Sequence, residues 1–140
     1  MSDLPDGKSV RVATIIVTAA VIEREGRLLV TRRQRGVHLE GFWEFPGGKC
    51  DPGEPLDRCL ARELREELDV EARIGLELFT TTHAYEDRHV ELHFFACELA
   101  GEPRAVLGQE MRWVARGDLA ALEFPPADAE LIAVLTRTSG

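Results

Sequence analysis

Three glutamates, Glu63, Glu66 and Glu67, are concentrated in one short segment of the chain. Pro55 favours a first helical turn and no further Pro or Gly follows until Gly75, so the sequence predicts a helix over residues 55–68. On a helix, the spacing i, i+3, i+4 places the three carboxylates on one arc, where like charges repel unless a cation offsets them. Oxygen ligands without a nearby His or Cys pair favour Mg²⁺ or Mn²⁺ over Zn²⁺. The segment is therefore a candidate site for a divalent cation.

The same helix has an apolar stripe beside the acidic arc. Leucines recur every four residues, at Leu56, Leu60, Leu64 and Leu68, and this period predicts a buried face. The alternative to a metal site is a solvated charged face that nearby arginines balance. These are Arg58, Arg62 and Arg65.

The spacing around this helix resembles the signature of the Nudix hydrolases. Five residues separate Gly48 from Glu54, and seven more lead to Arg62-Glu63-Leu64-Arg65-Glu66-Glu67. The family signature ends on a Gly after the helix, where this chain has Asp69. Asp tolerates the left-handed conformation better than most residues, so we expect a small stability cost and no loss of chemistry.

The resemblance implies an enzyme in which metal ions assist the attack of water on a phosphorus of a nucleoside triphosphate. The products would be a nucleoside monophosphate and pyrophosphate. The implied metal ligands for Mg²⁺ or Mn²⁺ are Glu63, Glu66 and Glu67, with the Gly47 carbonyl as an extra ligand. Arg62 would orient this cluster through a salt bridge, and Glu54 would help it. The proton acceptor would be one glutamate of the cluster or Glu110.

The similarity extends to the MutT-type branch, whose members hydrolyse nucleoside triphosphates such as 8-oxo-dGTP to clean the nucleotide pool. It rests on Thr31-Arg32-Arg33, Trp43-Glu44-Phe45-Pro46-Gly47-Gly48, Asp87-Arg88-His89, Gly101-Glu102-Pro103 and Phe124-Pro125-Pro126-Ala127-Asp128. The branch implies four nucleotide contacts, from Arg33, Phe45, Arg88 and Asp128. Taken alone, Arg33 is typical of a surface charge, Phe45 of a core aromatic and Asp128 of a helix start.

Two positions depart from this branch. A further metal-binding Glu is often found a few residues before the Trp that matches Trp113, and Leu107 stands there in this chain. Glu110 is close enough in sequence to replace it. The second departure is Asp128, where the oxidised-guanine enzymes have Asn and a related pyrimidine hydrolase has Asp.

Other functions remain open within and outside the family. Within it, the substrate could be CTP or another pyrimidine nucleotide, ADP-ribose, a dinucleoside polyphosphate or an isoprenoid diphosphate. The Phe-Pro-Pro-Ala-Asp stretch favours the triphosphate branch. Outside the enzyme class, the chain could be a retired Nudix domain that only binds a nucleotide or a protein partner. The intact acidic run argues against that alternative.

Composition limits the partners. The net charge is −8 and the pI is near 5.0, so we expect no nucleic-acid polymer as partner. No apolar run approaches the ~20 residues that a membrane span needs. The start of the chain has no apolar region typical of a signal peptide, so we expect a cytoplasmic protein. We also expect a monomer or a homodimer. Cys50, Cys59 and Cys97 form no CxxC pair, which predicts reduced thiols.

The remaining segments predict an α+β fold, with a mixed sheet between helices as in the Nudix fold. We expect one domain over residues 1–140, with residues 1–9 as a flexible arm. Strands are predicted over 10–22, 27–33, 42–48, 72–84, 90–99 and 111–115. A helical turn is predicted over 117–122 and a second helix over 126–138, with Leu131, Val134 and Leu135 facing the core.

Overall fold

The computed structural model describes residues 13–37 and 39–137. Strands and helices follow in the order β1 (Ala13–Arg24), β2 (Arg27–Arg32), β3 (Trp43–Glu44), β4 (Gly47–Lys49), α1 (Leu56–Leu68), β5 (Ala72–Ala84), β6 (Arg88–Leu99) and β7 (Met111–Ala115). Two 3₁₀ helices, Arg116–Ala121 and Pro126–Asp128, then lead into α2 (Ala129–Arg137). Within these described ranges, no helix is both long and apolar enough to cross a membrane.

The sheet is mixed, as predicted. Its strand order is β3-β2-β1-β6-β5, with β7 paired to β2 and β4 paired to β1. Strands β1 and β6 run parallel, and Thr18 lies opposite His93. The other pairings are antiparallel, including β1 with β4, which places Thr18 opposite Gly48. The long β1 strand therefore brings the glycine segment beside the centre of the sheet.

The core has two parts, one on each face of β1. The adjacent residues Ala19 and Ala20 belong to different clusters of buried side chains, as the alternation of a strand requires. Helix α1 packs into one cluster through Leu60, Leu64 and Leu68, all fully buried. Helix α2 packs into the other through Leu131 and Leu135, with the partly buried Ile132 beside them. The sheet thus lies between the two helices, which confirms the predicted α+β layering.

Both ends of α1 agree with their sequence signals, whereas the start and the buried face of α2 differ from the predictions. Pro55 precedes the first turn of α1, and Asp69 ends it in the left-handed conformation with φ 51°. The helix predicted from residue 126 instead begins with a 3₁₀ turn, Pro126–Asp128. The prediction that Val134 faces the core is wrong: this side chain is 37% exposed, because Leu131, Ile132 and Leu135 form the face of α2 that packs against the core. The predicted arm 1–9 and residues 10–12 and 138 lie outside the described residues.

Candidate active site

Two glycines of β4 bring backbone against the acidic helix. A Cβ on Gly48 would collide with the Glu63 carboxylate, and a Cβ on Gly47 would collide with the Thr18 carbonyl. Any other residue at Gly47 would push β4 away from β1, and any other residue at Gly48 would displace the Glu63 carboxylate. The glycines therefore permit a close approach between the loop backbone and the carboxylates, rather than a plain turn.

Glu63 and Glu67 are partly buried carboxyl groups on successive turns of α1. Each affects the ionisation of the other. Burial, followed by the negative charges of Glu63 and Glu44, raises the pKa of Glu67 from 4.5 to about 8. Burial also raises the pKa of Glu63, although Arg62 opposes this shift. At neutral pH, and without a cation, Glu67 therefore holds a proton.

This pair has the donor chemistry of a site for a hard divalent cation. Two neighbouring carboxyl groups supply oxygen ligands, which Mg²⁺ and Mn²⁺ prefer. A bound cation would displace the proton of Glu67 and offset the repulsion between the two ionised carboxylates. The residues present therefore fit a Mg²⁺ or Mn²⁺ ion.

Arg62 connects the helix to the loop before it. Its Nε and Nη2 atoms donate to the two Glu54 carboxylate oxygens, both at 2.9 Å. Its Nη1 atom donates to Glu63 at 2.9 Å and to Glu66 at 3.2 Å. The hydrogen bonds from Arg62 hold the pKa of Glu54 down at about 2. Arg62 thus contacts Glu63, the carboxylate that it is predicted to orient, whereas the Glu66 side chain is 58% exposed.

A cavity of about 530 Å³ opens beside Glu63 and Glu67. It brings together seven of the predicted site residues, Arg33, Phe45, Gly47, Glu63, Glu67, Arg88 and Asp128. Four others, Glu54, Arg62, Glu66 and Glu110, do not line it. The acidic pair and the residues predicted to contact a nucleotide therefore share one cavity.

Phe45 and Asp128 also form part of the cavity wall. Phe45 is 4% exposed and stacks on Phe124 with ring centroids 5.4 Å apart, so it is also a core aromatic. Asp128 is 5% exposed. Burial and then the charge of Glu44 raise the pKa of Asp128 from 3.8 to about 7. Asp128 is therefore a carboxyl group whose protonation changes near neutral pH.

Glu110 has other partners. Its carboxylate accepts hydrogen bonds from Arg32 at 3.3 Å and from Arg112 at 3.0 Å. Leu107, the position of the missing Glu, is 56% exposed and lines a smaller cavity of about 170 Å³ together with Glu67. The role of Glu110 as a metal ligand stays a prediction.

Three features of the site were not predicted from the sequence. The first is Glu44, which lines both cavities and accepts a hydrogen bond from Arg33 at 2.8 Å. Its negative charge also helps to raise the pKa values of Glu67 and Asp128. Tyr85 also lines the larger cavity. The available sequence signal for Glu44 as a site residue was its position, one residue before Phe45.

The third unpredicted feature is a disulfide bond between Cys50 and Cys59. The prediction of three reduced thiols is wrong for this pair, and Cys97 is the buried free cysteine. The absence of a CxxC pair carried no information here, because α1 folds back on the loop and brings together two residues that are 9 apart in sequence.

Comparison with known proteins agrees with this geometry. The family model described as "NUDIX domain" matches residues 17–134 of the chain. The chain belongs to the Nudix hydrolase family. Its MutT-type relatives include proteins named for two activities. The chain is 36% identical to the CTP pyrophosphohydrolase of Escherichia coli, over 84% of this chain and 86% of that protein. It is 39% identical to the 8-oxo-dGTP diphosphatase of Haemophilus influenzae, over 84% and 88%.

Solved structures of other proteins also have this fold. The solution structure of the E. coli ORF135 protein superposes with a TM-score of 0.80 at 32% identity, covering 91% of this chain and 94% of that one. The crystal structure of the MutT protein from Methanosarcina mazei superposes with a TM-score of 0.81 at 25% identity, covering 92% and 97%. The Nudix signature of this chain thus lies in the fold expected for it.

Proposed function

We propose that this Nudix hydrolase is a Mg²⁺-dependent nucleoside triphosphate pyrophosphohydrolase. It would convert oxidised or modified nucleotides, such as 8-oxo-dGTP, to the nucleoside monophosphate and pyrophosphate. The observation that carries the proposal is the single cavity that holds the Glu63–Glu67 pair together with Phe45 and Asp128. A polyphosphate needs a cation, which the Glu63–Glu67 pair would hold. A nucleotide base needs an aromatic wall, such as Phe45, and a polar group, such as Asp128.

The residues would divide the work by position. Glu63 and Glu67, with Glu66 and the Gly47 carbonyl, would hold the cation, and Mn²⁺ could replace Mg²⁺. When bound, the cation would offset the phosphate charge and lower the pKa of a water molecule. Arg62 and Glu54 would keep Glu63 in place. A glutamate of the cluster would accept the proton of the attacking water.

The positive side chains of the cavity support a bound anion. Arg33 and Arg88 both line it, and each already contacts an acidic side chain, Glu44 and Asp87 respectively. Their guanidinium groups would reorient toward phosphate oxygens, which they bind in the same fork geometry as a carboxylate. The cavity thus offers cationic groups near the acidic pair, as a metal–triphosphate complex requires.

A second substrate class is favoured by Asp128. An ionised Asp accepts hydrogen bonds only, and the amino group of cytosine donates them. A relative that is 36% identical is named CTP pyrophosphohydrolase. Cytosine triphosphates are therefore the alternative substrates, and the balance between the two depends on the protonation of Asp128.

The setting of this reaction is also part of the proposal. The net charge of −8 disfavours a nucleic-acid polymer as ligand, so the substrate would be a free nucleotide in the cytoplasm. The protein would act as a monomer or a homodimer. Its activity would serve DNA repair indirectly, by cleaning the nucleotide pool.

A turnover screen tests the proposal. The protein would be incubated with 8-oxo-dGTP, dGTP, dCTP, CTP, ADP-ribose and a dinucleoside polyphosphate in Mg²⁺, and products would be separated by chromatography. We expect pyrophosphate and a monophosphate from a triphosphate. Turnover of ADP-ribose alone, or binding without turnover by any nucleotide, would reject it.

A further inference from the structure

The Cys50–Cys59 disulfide lies close in sequence to the residues of the candidate metal site. Cys50 follows β4, and Cys59 is in α1, one turn before Glu63. The Cα atoms are 5.3 Å apart. Cys59 is fully buried, whereas Cys50 is partly exposed. The bond therefore ties the loop that carries the glycines directly to the helix that carries the carboxylates.

The loop closed by the disulfide also contains Glu54, the residue that binds Arg62. Glu54 lies between the two cysteines in sequence, and the backbone N–H of Asp51 donates to its carboxylate at 2.9 Å. The same carboxylate receives the two hydrogen bonds from Arg62. Any change in the freedom of this loop is thus passed through Glu54 and Arg62 to Glu63.

A second connection runs through Gly48. The Thr18 hydroxyl lies 3.3 Å from the Cys59 sulfur and 3.5 Å from the Gly48 carbonyl oxygen. The Cys59 sulfur is itself 3.9 Å from that carbonyl. In the disulfide the sulfur carries no proton, so the hydroxyl is the donor of this group. A reduced Cys59 thiol would add a second donor beside the carbonyl. The hydrogen bonding around the Gly48 carbonyl therefore depends on the redox state of Cys59.

We infer that the Cys50–Cys59 pair is a redox modification site, reduced by dithiols, whose state sets the affinity of the neighbouring acidic pair for its divalent cation. The inference rests on the metal site proposed above. The oxidised form holds the loop on α1 and binds the cation more tightly. The reduced form releases the loop and binds it more weakly.

The chemistry is thiol–disulfide exchange. A thiolate of the dithiol attacks the more accessible Cys50 sulfur, forms a mixed disulfide and releases the Cys59 thiolate, which takes up a proton. The second thiolate of the dithiol then attacks the other dithiol sulfur, which is bonded to Cys50 in the mixed disulfide, and releases the Cys50 thiolate. The protein gains two electrons and two protons, and the dithiol becomes a disulfide. An organic hydroperoxide reverses the change and leaves as an alcohol and water.

The first measurement counts thiols in the whole protein. Before and after dithiothreitol, the protein is denatured, labelled with a maleimide and weighed by mass spectrometry. The chain has three cysteines. We expect one labelled thiol, Cys97, in protein treated with cumene hydroperoxide, and three after reduction. Three labelled thiols in both samples would overturn the inference.

The second measurement follows metal binding without turnover. The melting temperature of each form is recorded over a range of Mg²⁺ concentrations. Coupling between two sites is typically 5- to 150-fold, and we expect reduction to raise the Mg²⁺ concentration for half of the full shift by about fivefold. The same Mg²⁺ dependence in both forms would overturn the inference. Because no substrate is present, this result is independent of whether the proposed triphosphate activity exists.

Two variants locate the effect. Cys97→Ala keeps the bridge and should respond to dithiothreitol as the wild type does. Cys50→Ser removes the bridge, so its Mg²⁺ dependence should match that of the reduced wild type with or without dithiothreitol. A Cys50→Ser protein that still responds to the reductant would assign the effect to another group and overturn the inference. The reversible reduction of the wild type keeps the test valid even if a variant fails to fold.

Discussion

Arg62 and Glu54 are joined by two parallel hydrogen bonds, each 2.9 Å long, between α1 and the loop that precedes it. The same guanidinium group donates to Glu63, so three residues of the Nudix signature form one rigid connection. The planar fork of an Arg matches both oxygens of a carboxylate, and the ammonium group of a Lys cannot. If Glu63 binds a metal as proposed, its orientation should therefore depend on an Arg at this position.

Arg62→Lys should lower turnover by about 10- to 100-fold and raise the Mg²⁺ requirement, the range seen when groups behind metal ligands are lost. The charge is retained, so the loss reflects geometry. The measurement is kcat/KM as a function of Mg²⁺ concentration. Arg58→Lys, on the exposed side of the same helix, is the matched control and should leave both values unchanged. Equal behaviour of the two variants would show that Arg62 does not orient the site.

Glu67→Gln should abolish most turnover and leave the fold intact. Without a cation Glu67 is protonated at neutral pH, and Gln resembles that form, so the metal-free protein loses no favourable interaction of an ionised group. The loss should exceed about 100-fold, because a direct ligand is removed. Millimolar Mg²⁺ should raise the melting temperature of the wild type more than that of the variant. A wild-type rate at saturating Mg²⁺ would disprove the metal role of Glu67.

The stability of the metal-free protein should fall with pH because of Glu67. Its pKa rises from 4.5 to about 8 on folding, so between these values the folded state binds more protons than the unfolded state. The contribution to stability is full below about pH 4.5 and is lost as pH rises through about 8. Melting temperatures at pH 5 to 8, with and without Glu67→Gln, measure it. The Glu67→Gln variant should show a smaller decline than the wild type, whereas Glu130→Gln, in the exposed first turn of α2, should show the same decline as the wild type.

The distal loop offers a test of the missing ligand. Glu110→Gln should change the Mg²⁺ dependence little, because Arg32 and Arg112 already hold that carboxylate. Leu107→Glu should lower the Mg²⁺ concentration needed for half of the maximal rate, because it adds a carboxylate to a cavity that Glu67 lines. The opposite ranking, with Glu110→Gln the damaging change, would assign Glu110 as the ligand. No effect from either change would place the loop away from the metal.

Substrate choice should depend on pH through Asp128. Below about pH 7 this carboxyl group is protonated and can donate to O6 of an oxidised guanine. Above it, the ionised form accepts from the amino group of cytosine. The ratio of kcat/KM for 8-oxo-dGTP to that for dCTP should therefore fall as pH rises from 6 to 8.

Asp128→Asn should remove this pH dependence and narrow the substrate range. An unmatched buried polar group costs about 1 to 3 kcal/mol, which corresponds to ~10- to 100-fold in discrimination. The kcat/KM values for 8-oxo-dGTP, dGTP, dCTP and CTP should be measured for both proteins. Identical substrate ratios would remove Asp128 from the base-binding part of the cavity.

The sequence by itself determined the elements of this protein whose signals are local. The leucine period, Pro55 and Asp69 defined α1 and its end, because a helix depends on residues within one turn of each other. β-branched and alternating residues located β1, β2, β5, β6 and β7. The spacing of Glu54, Arg62 and Glu63 indicated the salt bridges of the Nudix signature, since the fold of this segment repeats in the family.

Only the tertiary structure decided which distant groups meet. It paired β1 with β6, brought Glu44 close enough to affect both Glu67 and Asp128, joined Cys50 to Cys59 and gave Glu110 two arginine partners. It also showed which side of α2 is exposed. The raised pKa values of Glu67 and Asp128 have the same origin. Desolvation and charge coupling depend on every chain segment around a group, and these segments come together only when the chain folds.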